Sequence, residues 1–255
     1  MSTQPILETR ELRKAFGGHQ VLDGVSLRFE ARRLSALIGP NGAGKTTCFN
    51  LLTGFLQPDA GRILFNGADV TSLSPDRRAR IGISRSFQIL NLFDDYTVLE
   101  NVRVAVPAMR RRGWDAWTPA GNVTEAADRA AGIVRLVGLG GREHVAARFM
   151  SYGQRRLLEI GVALAGEPEL LLLDEPTSGL GSRPMETLRA LVQQLAERLT
   201  IVVIEHDMDF VLSLSHHVAV LHRGTVIAEG PPATIRDHAE VREAYLGTLR
   251  HTRVG

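Results

Sequence analysis

Leu170-Leu171-Leu172-Leu173 and Thr200-Ile201-Val202-Val203-Ile204 are apolar at nearly every position. A strand with one face in water alternates apolar and polar side chains, whereas a strand covered on both faces does not. Runs of this length and kind belong in a parallel sheet with helices packed over it. Leu34-Ser35-Ala36-Leu37-Ile38 is a further apolar run of strand length, followed by a glycine-rich turn and a helical stretch over Lys45–Thr53. Helical patterns at residues 151–165 and 184–198 alternate with the apolar runs, which sets the expectation of an α/β core with a mostly parallel sheet. None of the runs approaches the roughly 18 to 20 residues that span a bilayer, so the chain is not expected to cross a membrane by itself.

The remainder divides by pattern. Near the N-terminus, Ile6 to Leu12 is loosely alternating and Ser26 to Glu30 alternates cleanly, with Gly17-Gly18 and Asp23-Gly24 read as turns. Gly61 to Phe65 is strand-like and runs into an Asn66-Gly67 turn signal. These make a small antiparallel β subdomain. From about Val98 to Val145 the character is helical. Residues 125–137 form one helix, bounded by Gly121-Asn122 before and by glycines at 138–141 after, and Trp114, Trp117 and Pro119 fall in an irregular segment between helices. The expected layout is one domain over residues 1–250. Its core covers about 1–90 and 156–235, a helical subdomain is inserted at about 91–155, and a C-terminal helix and tail cover about 236–255. No internal repeat or low-complexity tract interrupts it.

Composition removes several classes. Hydrophobic residues at 44% and charged ones at 23% are ordinary globular proportions, unlike those of a disordered, collagen-like or disulfide-stapled chain. The net charge of +2 gives no electrostatic case for nucleic acid. Cys48 is the single cysteine, so there is no internal disulfide and no zinc site built from thiolates. The opening MSTQPILETR carries acid and lacks an apolar core, unlike a secretory signal. The basic residues are almost all arginine. Lys14 and Lys45 are the only lysines, which draws attention to where they stand.

Lys45 stands in Gly39-Pro40-Asn41-Gly42-Ala43-Gly44-Lys45-Thr46, followed by Thr47, between an apolar strand and a helix. This is the G-x-x-x-x-G-K-[ST] pattern in the position its mechanics require. Glycines let successive backbone N–H groups face one centre, and the helix N-terminus adds positive partial charge. Lys45 would reach the β- and γ-phosphates, and Thr46 would offer its hydroxyl to Mg²⁺. A ligand-free glycine turn is the plain alternative, and the scarcity of lysine counts against it. The run at 170–173 ends in Asp174-Glu175-Pro176. Asp174 suits the coordination sphere of Mg²⁺, and Glu175 can act as general base toward the attacking water. His206, in Ile-Glu-His-Asp after the next strand, would face the same strand-end crevice and donate to the γ-phosphate. His216, His217 and His222 lack metal-ligand spacing and are read as structural.

With Met150-Ser151-Tyr152-Gly153-Gln154 heading a helix just upstream of the acidic strand, the sequence resembles the ATPase subunits of ABC transporters over about residues 5 to 250. The phosphate loop, Gln88, this signature, Asp174-Glu175 and His206 occur in the family's order. The resemblance implies a P-loop NTPase core and a dimer with two ATP at its interface. Ser151, Tyr152, Gly153 and Gln154 would bind the γ-phosphate held by the other subunit, which is either a copy of this chain or a paralogue. By the same resemblance Phe16 stacks on adenine. Gln88 touches Mg²⁺ or the water and senses the membrane partner. Residues 91–101 and the neighbouring helices form the groove for that partner's coupling helix, with Phe93 and Tyr96 as candidates for its floor. The implied partners are integral-membrane permease subunits, with a solute-binding protein engaged indirectly and no nucleic acid. The implied location is peripheral, at the cytoplasmic face of the inner membrane.

Two positions depart from the family pattern. Tyr152 stands where many members have Gly, a substitution found in amino-acid importer ATPases. Gly181 stands where Asp or Asn is usual, which questions the cross-subunit positioning of the water and leaves a non-hydrolysing ATP-binding module as a rival. Residues 37–47, Leu51-Leu52-Thr53-Gly54, Arg85-Ser86-Phe87-Gln88, residues 151–160, residues 204–208 and Ala244-Tyr245-Leu246-Gly247 are most similar to the ATPases of branched-chain amino-acid importers. Urea importers and lipopolysaccharide exporters are the alternatives. ABC ATPases of DNA repair or the ribosome usually carry coiled-coil insertions or two cassettes, and this chain has neither.

Overall fold

The computed structural model describes residues 4–86, 92–106 and 120–251, with side chains described throughout except at 120–124 and 246–251. Gln88, Trp114, Trp117 and Pro119 lie outside the described residues. The main sheet is built on β3 (Leu34–Ile38), β6 (Ile83–Arg85), β7 (Leu170–Asp174), β8 (Thr200–Ile204), β9 (His217–His222) and β10 (Thr225–Gly230), in the order β10-β9-β3-β8-β7-β6. The pairs β9/β3, β3/β8, β8/β7 and β7/β6 are parallel, and β10 closes one edge as an antiparallel hairpin partner of β9.

Every residue of β3, β7 and β8 is buried, and the reason is visible in how their side chains divide. Leu34, Ala36, Ile38, Leu171, Leu173, Ile201 and Val203 enter one core, which they share with helices α3 (Val98–Ala105), α4 (Ala120–Leu136), α5 (Tyr152–Ala165) and α6 (Ser182–Ala196). Leu37, Leu170, Leu172, Val202 and Ile204 enter a second core, shared with α1 (Lys45–Thr53) and the small β sheet. With apolar layers on both faces, alternation has no solvent side to serve.

The small sheet has the order β2-β1-β4-β5, from β1 (Leu7–Phe16), β2 (His19–Phe29), β4 (Ala60–Phe65) and β5 (Ala68–Asp69), all antiparallel. Asn66 and Gly67, both at positive φ, form the expected two-residue turn between β4 and β5. Asp23-Gly24 is not the turn the sequence suggests. It lies inside β2, where Leu12 pairs with Val25 and Lys14 with Leu22, so one extra residue is accommodated as a bulge with Gly24 at φ +71°. The glycine signal was real, but it marked a bulge.

Two helix starts also differ from expectation. α4 runs through Gly121 and Asn122 instead of beginning after them, because a Gly or Asn inside a helix costs only about 1 kcal/mol or less and the turns beyond bury Ala126, Ala130, Ile133, Val134 and Val137. α6 begins at Ser182, two residues before Pro184, which falls in the first turn where its missing N–H has no helical partner to lose. The remaining helices are α2 (Pro75–Arg80), between β5 and β6, and α7 (Met208–Leu214), α8 (Pro232–Asp237) and α9 (Ala239–His251) toward the C-terminus. Among the described residues no helix is long and apolar enough to cross a membrane.

Candidate active site

The in-register pairs Leu37↔Ile204 and Asp174↔Ile204 bring the C-terminal ends of β3, β8 and β7 to one edge of the sheet. Three loops leave from that edge, carrying residues 39–44, 175–181 and 205–207. This is where open α/β sheets place ligands.

The first loop is held by close backbone packing. A side chain at Gly39, at φ +155°, would put its Cβ 2.1 Å from the Leu221 carbonyl oxygen. Gly44, at φ +103°, caps α1, and a Cβ there would lie 2.7 Å from Leu22. The Gly224 N–H donates to Ala43 O at 3.0 Å and braces the loop from the β9–β10 turn. Lys45 is only 7% exposed, and its ammonium donates to Gly39 O (2.7 Å) and Pro40 O (3.0 Å). Burial lowers its pKa, and the nearby Glu175 and Asp174 carboxylates oppose that shift. A pocket of about 340 Å³ is lined by Val21, residues 41–47 and Glu175, so the phosphate loop and the expected base share one cavity.

Asp174 ends β7 and is 1% exposed, its carboxylate paired with the Arg85 guanidinium. Arg85 also donates to Asn50 Oδ1 at 2.6 Å, which ties the acid to α1. Glu175 sits at φ +43°, a left-handed conformation that a non-glycine residue keeps only where its surroundings fix it, at a cost of order 1–3 kcal/mol. Those surroundings are explicit. Glu175 N–H donates to Ile204 O at 3.0 Å, and the buried Arg156 of α5 donates to the carbonyls of both Asp174 (2.8 Å) and Glu175 (2.9 Å). His206 stands with Nδ1 3.9 Å from Glu175 Oε1, at the exposed side of the same edge.

Ser151, Tyr152, Gly153 and Gln154 do not line this pocket. They open α5 instead, through a capping box in which Gln154 N–H donates to Ser151 Oγ and Ser151 N–H donates to Gln154 Oε1. Gly153 is required by packing, since a Cβ there would meet Pro184 at 2.8 Å. Tyr152 is exposed and lies against Gly179. Phe16 is the exposed end of β1, with Lys14 Nζ 5.6 Å from its ring. Phe93 and Tyr96 are exposed, with ring centroids 5.1 Å apart and their planes tilted by 30°. Gln88 has no described placement.

Sequence reasoning passed over Arg85, Arg156 and Glu205 as parts of this site. Glu205 directly follows the apolar run 201–204, where a charged residue is either buried with partners or marks a strand end, whereas Arg85 between two serines and Arg156 after Gln154-Arg155 carry no such signal.

The fold and this site define a P-loop nucleotide-binding cassette. A family model described as ABC transporter matches residues 22–178, and one described as branched-chain amino acid ATP-binding cassette transporter matches residues 225–249. The chain belongs to the ABC transporter family and is an ATPase of that class. It is 38% identical to the high-affinity branched-chain amino acid transport ATP-binding protein BraF of Pseudomonas aeruginosa, covering 96% of this chain and 99% of that one. To the corresponding protein LivG of Escherichia coli it is 38% identical with the same coverage. Among solved structures it matches the ADP conformation of an ATP-binding cassette from an ABC transporter with a TM-score of 0.84, at 33% identity over 96% of this chain and 100% of that one. A dimeric post-hydrolysis cassette bound to ADP and phosphate matches with a TM-score of 0.75, at 26% identity over 89% of this chain and 98% of that one.

Proposed function

We propose that this chain is the ATP-hydrolysing subunit of an importer for branched-chain or related amino acids, peripheral at the cytoplasmic face of the membrane. The observation that carries the reading is the single pocket in which the phosphate loop, Lys45 and Glu175 converge with Asp174 buried behind them. The match of the C-terminal residues to the branched-chain amino acid cassette model supports the choice of solute class.

In this reading Phe16 stacks on adenine, and the N–H groups of Gly39, Pro40's neighbour Asn41, Gly42, Ala43, Gly44, Lys45, Thr46 and Thr47 surround the phosphates. Lys45 exchanges its loop carbonyls for phosphate oxygens. Glu175 accepts a proton from the attacking water, whose oxygen bonds to the γ-phosphorus as the bond to the β–γ bridging oxygen breaks and ADP leaves. His206 holds the γ-phosphate. The residues suit Mg²⁺, which is commonly bound through one or two carboxylates or hydroxyls plus substrate phosphates, because the Thr46 hydroxyl lines the pocket and the Asp174 carboxylate ends the strand behind it. Thr46 and Asp174 would hold the ion, joined by Gln88, and it would supply charge neutralisation at the phosphates.

Ser151 to Gln154 are not among the residues lining their own chain's phosphate-loop pocket, and in this reading they serve the ATP of a second subunit, either a copy or a paralogue. Phe93 and Tyr96, with the pocket of about 270 Å³ lined by Phe55, Arg85 and residues of α5, offer the surface for permease subunits. In the same reading the core covers about residues 1–90 and 156–235, the inserted helical subdomain about 91–155, and the C-terminal helix and tail about 236–255. The test is the oligomeric state of Glu175→Gln with MgATP. A dimer that forms with ATP and persists because ATP is not consumed is expected. A variant that hydrolyses at the wild-type rate would overturn the assignment of Glu175.

A further inference from the structure

Glu205 immediately follows β8 and is fully buried, and it is not among the residues that line the phosphate-loop pocket. Its two oxygens serve two different loops. Oε1 accepts from the N–H of Thr177 at 2.8 Å. Oε2 accepts from the N–H of His206 at 3.1 Å and, more weakly, from that of Asp207 at 3.5 Å. Thr177 lies two residues beyond Glu175, and His206, with Glu175 and Gln88, is one of the three expected catalytic residues. The ring Nδ1 of His206 stands 3.9 Å from both Glu175 Oε1 and Glu205 Oε2.

A carboxylate without solvent is among the costliest groups to bury, and here backbone N–H donors compensate it. An apolar residue at this position would avoid that cost, but it would leave the Thr177 and His206 N–H groups unpartnered and the loops untied. The tie matters because Glu175 occupies a left-handed conformation that needs fixing from both sides. Arg156 and Ile204 O fix it from the strand side. The Thr177 anchor fixes the loop just after it.

We propose that Glu205 is a positioning residue, a two-pronged clamp that sets the spacing between Glu175 and His206. The clamp acts on the hydrolytic step and not on nucleotide affinity, since neither prong reaches the phosphate loop. It rests on the reading of Glu175 and His206 as catalytic, and the test separates the two claims.

Glu205→Gln keeps the volume but turns one acceptor into a donor facing an N–H, so one prong is lost. Glu205→Asp keeps the acid and shortens its reach by one methylene. Steady-state ATP hydrolysis, binding of a fluorescent ATP analogue and thermal unfolding would be measured for both, beside Glu175→Gln, His206→Ala and the double variant Glu205→Gln/His206→Ala. The clamp predicts kcat lower by about tenfold or more in Glu205→Gln, the equivalent of one lost charge-assisted hydrogen bond, with KM and analogue affinity within about twofold of wild type. Glu205→Asp should show the same split to a smaller degree. Adding Glu205→Gln to His206→Ala should cost less than Glu205→Gln costs on its own, because the clamp works partly through His206. An unchanged kcat, full additivity in the double variant, or loss of analogue binding together with the folded state in both Glu205 variants would each overturn the proposal. Wild-type rates in Glu175→Gln and His206→Ala would instead overturn the catalytic assignment itself.

Discussion

Breaking the Arg85–Asp174 pair from one side should be far more damaging than removing both partners. The two side chains are 9% and 2% exposed, so Arg85→Ala leaves Asp174 buried beside a cavity, stripped of its guanidinium partner. Breaking a buried pair by removing one partner costs about 3–5 kcal/mol. The guanidinium also leaves Asn50 Oδ1 and its place near the Phe49 and Phe55 rings, so the upper part of that range is expected. For a chain of 255 residues each kcal/mol moves the melting temperature by about 2–4 °C, so a loss of about 4–5 kcal/mol makes the shift roughly 8–20 °C. Arg85→Met combined with Asp174→Asn removes both charges at similar volume and should recover most of the loss. Urea unfolding of wild type, the single variant and the double variant measures both numbers. A single variant within about 1 kcal/mol of wild type, or a double variant no better than the single, would refute the reasoning.

Gly39→Ala should abolish binding of ATP in an equilibrium titration, because its methyl group would lie 2.1 Å from Leu221 O. Retained affinity would show that the loop shifts freely. Gly181→Asp should be tolerated, since the residue has φ −77° and nothing lies within 4 Å of a Cβ there. It would supply α6 with the side-chain cap it lacks, and a gain of a few tenths of a kcal/mol in thermal unfolding is expected. Burial pushes the Cys48 thiol from 9.0 up to about 12 and the Tyr245 hydroxyl from 10.0 up to about 12. Above pH 9 the unfolded chain therefore releases protons that the folded chain retains, so stability should fall as pH rises from 9 toward 12. Flat stability across that window in denaturant titrations would contradict the burial of both groups.

Much of the fold was legible because its strands carry an unambiguous pattern. Leu170 to Leu173 and Thr200 to Ile204 lack alternation for the reason found in the structure, two apolar cores on opposite faces of one sheet. The helix Lys45–Thr53 has the expected bounds, and the structure shows why: Gly44 and Gly54, both left-handed, cap its two ends. What was misread depended on context. Asp23-Gly24 has the same composition in a turn as in a bulge, and only pairing with β1 distinguishes them. Gly121-Asn122 looks like a helix boundary until the tertiary burial of Ala126 and Ala130 outweighs local propensity. At the site, the phosphate loop and Asp174-Glu175 were visible as contiguous motifs. Arg85 meets Asp174 across 89 positions, Arg156 reaches back from a helix, and Glu205 joins loops 28 residues apart. Contacts of that separation leave no local signature in one sequence.

The central claim is that this chain hydrolyses ATP at sites shared between two subunits, with Glu175 as the base. Mg²⁺-dependent ATP hydrolysis by the purified chain, measured across a range of protein concentrations beside Glu175→Gln, tests it most directly. The account predicts a rate that rises faster than linearly with concentration until the dimer saturates, and that is lost in the variant. A rate strictly proportional to concentration and unaffected by Glu175→Gln would contradict it.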